Sequence, residues 1–357
     1  MPPASELKAP VTSAGRSKDV PNWTGRVLVV IPSLNEAEHI EGLVARLLAD
    51  AGQANLRIVV ADGGSTDDTC AIVRRFMQRD GRVNLLDNKK RIAAAVNDAV
   101  SKYGDDAEFL IRIDAHAEYP PQFFAHLLAV QSETGADSVV VSMFTRGRTC
   151  FQRAAAAAQN SRLGNGGSPH RNEGRGRWVD HGHHALMRIA AFKAVGGYDE
   201  TFFWNEDAEL DFRLRASGFR IYLAGTVSIV YYPRRSVRAL FRQYFNYGRG
   251  RARNMLKHRQ WPELRQMLPL AVAPALGLLL LAPLFPAFAV PALLWATACL
   301  CFGVLLGIKA GNACVAGAGV AAMMMHAGWS FGFFAHLLKD GLRASSGARS
   351  LGVKATP

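Results

Sequence analysis

A long uncharged segment near the carboxyl end of the chain places the strongest constraint on what the chain can fold into. From Leu268 to Leu306 every residue is small or apolar except Thr297. About 20 such residues are enough to cross a bilayer, and this segment is nearly twice as long. Pro283, Pro286 and Pro291 interrupt it, so we predict a helical hairpin in the membrane. The alternative is a buried helical core of a soluble protein, but soluble cores rarely continue so far without a charge.

The sequence on either side of this segment supports attachment to a membrane. Val315 to Leu338 is a further apolar stretch, and its Gly, Trp and His content fits either a third span or an interfacial helix. Arg234 to Arg259, ahead of the hairpin, is strongly basic with interleaved aromatic residues. Basic residues beside a span favour the cytoplasmic, anionic leaflet, so we expect the preceding domain to face the cytoplasm. Because the hairpin follows directly, we do not expect this basic segment to bind nucleic acid.

The 357 residues, with 49% hydrophobic residues and a formal net charge of +13, are enough for one large domain and an appendage. We predict a disordered tail over 1–24, an α/β domain over 25–260, a membrane region over 261–340 and a flexible basic tail over 341–357. No pair of the five cysteines has the spacing of a zinc or redox site. We therefore expect a reducing compartment and no disulfide framework.

Short apolar runs alternate with helical patterns through the first 143 residues. The runs 27–31, 58–61, 83–86, 109–113 and 138–143 have the length and composition of buried strands. Helical spacing of apolar residues separates the first four of them. This alternation predicts an α/β, Rossmann-like domain with a mostly parallel sheet and right-handed crossovers. Ser65 and Asp68 have the spacing of a capping box at the start of the second helix.

The second predicted strand ends in Asp62, and Gly63 and Gly64 follow it. Paired glycines allow the backbone to approach a ligand closely. Their spacing differs from the dinucleotide motif G-x-G-x-x-G, and the sequence contains no P-loop motif. An acid at this point can accept a hydrogen bond from a uracil or ribose donor. A simple turn before a helix is the alternative for Asp62.

The strand at 109–113 leads directly into Asp114, Ala115 and His116. Side chains alternate along extended backbone, so Asp114 and His116 would point the same way if this geometry continues past the strand. A carboxylate and an imidazole at the carboxyl edge of a sheet can hold a divalent metal. A helix-capping Asp and a loop His with ordinary hydrogen bonds are the alternative.

Two later motifs carry further polar residues. His181, His183 and His184 suggest a metal, but no second ligand cluster lies beside them in the sequence, so contact with a sugar or phosphate, or packing, is the simpler interpretation. Glu206 and Asp207 come ahead of a helix predicted to begin near Leu210, where acids suit the positive end of the helix. As functional residues they would include a general base.

Taken together, the motifs resemble those of glycosyltransferase family 2. They are VLVVIPSLNE, VVADGGSTDDT, RIDAHAEYP, VDHGHHALMR, GGYDE, WNEDAELDFRLR and RQYFNYGRGRARN. The resemblance extends from about Val27 to Lys257, and less specifically through the membrane tail. The joint match is specific, whereas each motif alone is not. The resemblance implies a GT-A fold, a nucleotide-sugar donor such as UDP-glucose and an inverting transfer.

The resemblance also implies roles for individual residues. Asp207 would be the catalytic base, and Asp114 with His116 would hold a divalent metal. Imidazole suits Mn²⁺ better than Mg²⁺, although either ion remains possible on this pattern. Contacts to the nucleotide sugar are implied for Pro32, Asn35, Glu36, Asp62, Arg91 and Asp114. Contacts to the acceptor or the diphosphate are implied for His183, Glu206, Arg242, Gln243 and Arg249.

Processive members of the family carry a Q-x-x-R-W signature where this chain has Arg242 to Tyr247, without the Trp. We therefore expect addition of a single sugar. The resemblance implies an inner-membrane enzyme that faces the cytoplasm and glycosylates a polyprenyl-diphosphate-linked saccharide during assembly of a succinoglycan-like bacterial exopolysaccharide. Membrane lipid and other polysaccharide-assembly proteins would be its partners. Sugar transfer to a polyprenyl phosphate, or a non-catalytic nucleotide-sugar-binding assembly subunit, are the alternatives.

Overall fold

The computed structural model describes residues 25–51, 55–87, 91–166, 176–262 and 264–351. Within these residues the chain forms two compact units. The first contains the chain up to Phe144 and the part that ends at Tyr231. The second begins with an insertion from Thr145 and resumes at Tyr232. The division differs from the boundary predicted at residue 260, because the basic segment packs with the C-terminal helices.

The first unit is built on a sheet of eight strands among the described residues, in the order β3-β2-β1-β4-β7-β5-β8-β6. Strands β3, β2, β1 and β4 are parallel neighbours. Strand β7 runs antiparallel to β4 and β5, and β6 runs antiparallel to β8. The strands are β1 Arg26–Ser33, β2 Leu56–Asp62, β3 Val83–Asp87, β4 Ala107–Arg112, β5 Ser138–Thr145, β6 Arg177–Val179, β7 His183–Arg188 and β8 Ile221–Tyr231.

Helices cover both faces of this sheet. They are α1 Ala37–Ala51, α2 Thr69–Arg79, α3 Ile92–Tyr103, α4 Phe123–Thr134, α7 Ile189–Ala194 and α8 Glu206–Ala216. Val29 and Ile31 of β1 belong to one buried cluster, and Leu28 and Val30 belong to the cluster on the opposite face. Strands buried on both faces read as continuous apolar runs, which is why the strands could be located in the sequence. The predicted α/β fold with a mostly parallel sheet is confirmed.

Two predicted helix starts differ from the structure. Helix α8 begins at Glu206, so Glu206 and Asp207 lie in its first turn instead of ahead of it. The predicted capping box at Ser65 and Asp68 is wrong, since Asp68 makes no side-chain cap at α2. The Ser65 hydroxyl instead accepts the backbone N–H of Asn35 at 2.9 Å. A contact across two loops has therefore taken the place of a local cap.

The second unit is helical in its described residues. Its helices are α5 Cys150–Asn160, α6 Arg162–Asn165, α9 Val237–His258, α10 Leu264–Leu270, α11 Val272–Leu279, α12 Val290–Ala310, α13 Ala313–Ala316 and α14 Ala318–Leu351. Helices α9 and α14 run parallel, because Leu240 packs in one cluster with Met325 and Met255 packs in another with Phe333. Helix α14 continues to Leu351, into the segment for which we predicted a flexible tail.

The apolar region differs in detail from the predicted hairpin. Two described segments are long and apolar enough to cross a membrane: Pro286–Ala310, with mean hydropathy 2.2, and Ala313–Lys339, with mean hydropathy 1.2. The apolar segment ahead of them consists of the shorter helices α10 and α11, and α10 contains Pro269. Exposed leucines and phenylalanines concentrate here, with Leu284 exposed by 82% and Leu280 by 80%.

A disulfide joins Cys150 at the start of α5 to Cys314 in α13. The expectation of no disulfide is therefore wrong for this pair. The two residues are 164 positions apart, and only the packing of α13 on α5 brings their Cα atoms to 5.0 Å. Spacing in the sequence carries no information about such a pair. Cys70, Cys299 and Cys301 are free thiols.

The close approach of α9 and α14 yields a testable expectation. A Cβ atom at Gly332 would overlap the Phe245 carbonyl oxygen, whereas one at Gly277 in α11 would meet nothing within 4 Å. We expect Gly332→Ala to lower the free energy of unfolding by about 1–3 kcal/mol, because the helices must separate. Gly277→Ala, the matched control, should be neutral or stabilising by up to about 1 kcal/mol. Thermal unfolding in detergent measures both, and equal stability of the two variants would contradict this packing.

Candidate active site

The carboxyl ends of the parallel strands bring several polar loops to one edge of the sheet. Ser33 at the end of β1 pairs with Asp62 at the end of β2. On the other side of β1, Val30 pairs with Arg112 at the end of β4. Ligands of open α/β sheets bind at this edge. The topology therefore places the predicted residues after β1, β2 and β4 beside one another.

Asp62 is 4% exposed and fixed by its own turn. Its Oδ2 accepts the backbone N–H groups of Gly64 at 3.0 Å and Ser65 at 2.9 Å. Burial alone would raise the pKa of Asp62, but the hydrogen bonds from Ser65, Gly64 and the Cys70 thiol hold that pKa below its usual value. The other oxygen, Oδ1, is buried and makes no hydrogen bond of normal geometry to the described residues. An acceptor of this kind fits an N–H or O–H donor from a ligand.

The loop after β1 is tied to the loop after β2. Asn35 adopts φ +55°, and its Oδ1 accepts the backbone N–H of Thr66 at 2.8 Å. The Thr69 hydroxyl accepts the backbone N–H of Glu36 at 2.9 Å. Asp67 Oδ2 accepts the N–H of Ala37 at 3.0 Å at the start of α1. Pro32, inside β1, lies beside Ala61 of β2. These contacts give Asn35 a clear structural role in shaping the edge.

The centre of the site is Arg112, a residue that the motifs did not single out. Its side chain is 7% exposed and reaches three carboxylates. Nη1 lies 2.8 Å from Asp207 Oδ1, Nη2 lies 3.6 Å from Glu206 Oε1, and Nε lies 3.7 Å from Asp114 Oδ1. Burial alone would lower the pKa of Arg112, but Asp207 and the other acids raise it well above its ordinary value. The guanidinium therefore stays charged.

Tyr198 completes the contacts of Asp207. Its hydroxyl donates to Asp207 Oδ1 at 2.9 Å, and Arg112 Nη1 lies 3.3 Å from the same hydroxyl. Asn97 fixes the Tyr198 backbone by donating to its carbonyl and accepting its N–H, both at 2.9 Å. For Glu206, burial and the neighbouring Asp207 raise the pKa above its ordinary value. Two adjacent acids thus have different surroundings.

Asp114 and His116, the predicted metal pair, have different partners in the structure. Asp114 Oδ2 lies 3.6 Å from His183 Nε2, and His116 Nδ1 lies 3.1 Å from Glu36 Oε1. No group of three or more His, Cys, Asp or Glu side chains is assembled for a metal within the described parts of the chain. Asp114 is nevertheless 27% exposed and His116 48% exposed. One carboxylate with two imidazoles is a donor set that suits a divalent first-row ion.

The remaining predicted residues lie elsewhere. The Arg91 guanidinium stacks on the Phe203 ring, 3.2 Å from its centre. Arg242, Gln243 and Arg249 are on α9 of the second unit, where Gln243 donates to the Tyr247 hydroxyl at 2.9 Å. Contact of these three with a diphosphate stays a prediction.

Sequence reasoning also missed two buried partners of the motif residues. His181 Nδ1 lies 2.5 Å from Asp211 Oδ2, and Asp211 is 1% exposed. Asp211 lies within the motif WNEDAELDFRLR, but no role was predicted for it. For Arg112 a signal did exist, since an arginine at the end of an otherwise apolar strand requires an anionic partner. That signal does not say which acid the arginine meets.

The arrangement is that of a glycosyltransferase domain. Residues 28–196 match Glycosyl transferase family 2. The chain belongs to this family and is a glycosyltransferase, as the motifs indicated.

Comparison with individual proteins agrees with this family assignment. The chain is 56% identical to the succinoglycan biosynthesis protein ExoA of Rhizobium meliloti over 87% of this chain and 94% of that protein. It is 24% identical to the dolichyl N-acetyl-alpha-D-glucosaminyl phosphate 3-beta-D-2,3-diacetamido-2,3-dideoxy-beta-D-glucuronosyltransferase of Methanococcus voltae, over 62% of this chain and 71% of the relative. The mannosyltransferase PcManGT of Pyrobaculum calidifontis, solved with GDP-Man and Mn²⁺, has the same fold, with a TM-score of 0.56, 19% identity and 88% of each chain covered.

The Asp62 turn should make stability depend on pH. Because the folded-state pKa of Asp62 is lowered, its carboxylate stabilises the fold above the unfolded-state pKa, and this contribution is lost as pH falls through the folded-state pKa. We expect Asp62→Asn to cost about 1 kcal/mol at pH 7, since hydrogen bonds to a charged acceptor are stronger. The cost should shrink below about pH 4. Exposed Asp68, which caps nothing, provides the control Asp68→Asn. A cost for Asp62→Asn that does not change with pH would contradict the assignment.

Proposed function

We propose that the protein transfers one glucose from UDP-glucose, with inversion, to a polyprenyl-diphosphate-linked saccharide. The product would belong to the assembly of a succinoglycan-like exopolysaccharide. The observation that carries the proposal is the meeting of Asp114, Glu206 and Asp207 around one buried arginine at the carboxyl edge of the sheet. The 56% identical relative is a succinoglycan biosynthesis protein, which supports the choice of pathway.

The Asp62 side of the edge would hold the nucleotide. Its buried Oδ1 offers an acceptor to an N–H of uracil or to a ribose hydroxyl. The loop that carries Pro32, Asn35 and Glu36 would lie against the same nucleotide, since Asn35 and Thr66 join the two loops. Gly64, with φ +96°, lets the backbone approach the ligand without a Cβ atom.

The diphosphate of the nucleotide sugar would bind beside Asp114. Asp114 together with His116 and His183 would hold Mn²⁺ or Mg²⁺, a Lewis acid that neutralises charge on a leaving diphosphate. Because His183 Nε2 already lies 3.6 Å from Asp114, it joins His116 as a nitrogen donor in this proposal. Arg91 would contact the nucleotide sugar, and Arg242, Gln243 and Arg249 would contact the acceptor or the diphosphate. The guanidinium groups of these arginines can bind phosphate bidentately.

Asp207 would take the proton of the acceptor hydroxyl. As that oxygen forms a bond to the anomeric carbon from one side, the bond to the diphosphate breaks on the other, which inverts the configuration. The proton passes to the carboxylate, and the electron pair leaves with UDP. Arg112 and Tyr198 both bind Asp207 Oδ1 and so fix the carboxylate in place. Glu206, in the same helical turn, would contact the acceptor.

The second unit would attach the enzyme to the cytoplasmic face of the inner membrane. We assign the bilayer insertion to the exposed apolar hairpin of α10, α11 and α12. We assign α14 to the interface, because it packs along α9. Arginines at the bilayer centre are strongly disfavoured. Helix α9 carries Arg238, Arg242, Arg249, Arg251 and Arg253. Helices α9 and α14 would therefore lie beside anionic headgroups. Other polysaccharide-assembly proteins would be further partners.

The reaction itself is tested by supplying membranes that contain the protein with labelled nucleotide sugars and extracting the lipid-linked product. We expect UDP-glucose to label a lipid-linked saccharide. A chelator should abolish the labelling, and Mn²⁺ should restore it at least as well as Mg²⁺, because the donor set includes imidazole. Labelling of polyprenyl phosphate alone would assign the acceptor to the lipid phosphate instead. Full activity in the presence of the chelator would contradict the dependence of the transfer on a divalent metal.

The role of Asp207 is tested by Asp207→Asn, which keeps the shape and removes the basicity. A positioned base contributes about 10²- to 10⁴-fold in rate, so we expect single-turnover transfer to fall by that factor while UDP-glucose affinity stays near normal. The control is Asp180→Asn, since Asp180 is 76% exposed and pairs with Arg215 instead of Arg112. Normal transfer by Asp207→Asn would remove Asp207 from the mechanism.

The membrane attachment is tested at the turn of the hairpin. Intact protein should stay with membranes after a high-salt wash, because burial of apolar side chains is insensitive to screening. Leu284→Asp with Phe285→Asp, at positions 82% and 57% exposed, should release a larger fraction. Leu34→Asp, at an exposed apolar position of the first unit, is the control and should not. Complete release of the unaltered protein by salt alone would contradict insertion of the hairpin in the bilayer.

A further inference from the structure

One guanidinium connects the two halves of the proposed reaction. Nε of Arg112 lies towards the donor-side acid Asp114, while Nη1 and Nη2 lie towards the acceptor-side acids Asp207 and Glu206. The closest contact, 2.8 Å, is the one to Asp207, the proposed base. Nε is buried and makes no hydrogen bond to the described residues, and its 3.7 Å separation from Asp114 is that of an ion pair.

We infer that Arg112 is a positioning residue that acts through Asp207 and sets the place of the base relative to the donor-side acid. The inference rests on the proposed function, in which Asp207 takes the acceptor proton. Arg112 itself has no role here as an acid, a base or a ligand of substrate.

The geometry requires an arginine instead of any cation. A guanidinium is planar, and its nitrogens diverge in fixed directions, so one group can meet three acids at once. A lysine ammonium is a point charge on a flexible stem and would pair with one acid. The charge would survive Arg112→Lys, but the fixed distance between Asp114 and Asp207 would be lost.

Tyr198 is a second residue that contacts the same carboxylate oxygen, and its hydroxyl also accepts from Arg112 Nη1 at 3.3 Å. Its hydroxyl and Arg112 Nη1 both contact Asp207 Oδ1, at 2.9 and 2.8 Å. Tyr198→Phe removes one of these contacts and leaves the ring, which is 2% exposed, packed against Phe192. This variant disturbs the fold less than a change at Arg112 and tests the same positioning.

The test is a double-mutant comparison of single-turnover transfer. We expect Arg112→Lys to slow transfer by at least about tenfold and Tyr198→Phe by about threefold, with the donor dissociation constant within about twofold of wild type. In an Asp207→Asn background the same two changes should slow transfer by less than about twofold, because the group through which they act is already inactive. A merely structural role predicts the same slowing in both backgrounds.

Arg188→Lys on the neighbouring strand β7 is the matched control, since Arg188 is 38% exposed and pairs with Glu108. It should leave transfer unchanged. If Arg112→Lys misfolds and does not bind UDP-glucose, the inference is tested by comparing Tyr198→Phe in the wild-type and Asp207→Asn backgrounds. Equal factors in the two backgrounds, or normal transfer by Arg112→Lys, would overturn the inference while leaving Asp207 as the base. Normal transfer by Asp207→Asn alone would instead overturn the proposed function.

Discussion

The buried ion pair between Arg112 and Asp207 is the interaction on which the rest of the site depends. A guanidinium that is 7% exposed is tolerated only with anionic partners, and the fold supplies them from the loop after β4 and the first turn of α8. The arginine therefore draws together elements that are far apart in the chain. Three acids around one cation leave an excess of negative charge when all are ionised, which suits the binding of a divalent ion.

The side of the edge that we propose for the nucleotide is built on backbone geometry. Asp62 is held by two N–H groups of its own turn, and Asn35 joins that turn to the loop after β1. A strand followed by an acid and two glycines was enough to locate Asp62 and its turn in the sequence, but it did not predict the contact of Asn35 with Thr66. The strands themselves could be predicted because both faces of the sheet are buried, which makes each strand a continuous apolar run.

The parts that could not be predicted all depend on distant residues. Arg112 meets Tyr198 and Asp207 across 86 and 95 positions of sequence, and Cys150 meets Cys314 across 164. Periodicity and motif spacing report on neighbours within an element and carry no information about such pairs. The same limit explains why alternation along the strand gave no sign of the contact between His116 and Glu36, which are 80 positions apart. The boundary predicted at residue 260 likewise placed the residues of helix α9 with the α/β domain, although Gly248 of α9 packs on Trp329 of α14.

The central claim is that nucleotide, metal and base meet at this one edge of the sheet. A structure of the protein with UDP and Mn²⁺ bound measures it most directly. We expect a uracil or ribose donor on Asp62 Oδ1, the metal on Asp114 with imidazole nitrogen, and Arg112 still bound to Asp207. A nucleotide bound away from Asp62, or Arg112 turned from Asp207 onto the diphosphate, would contradict the account.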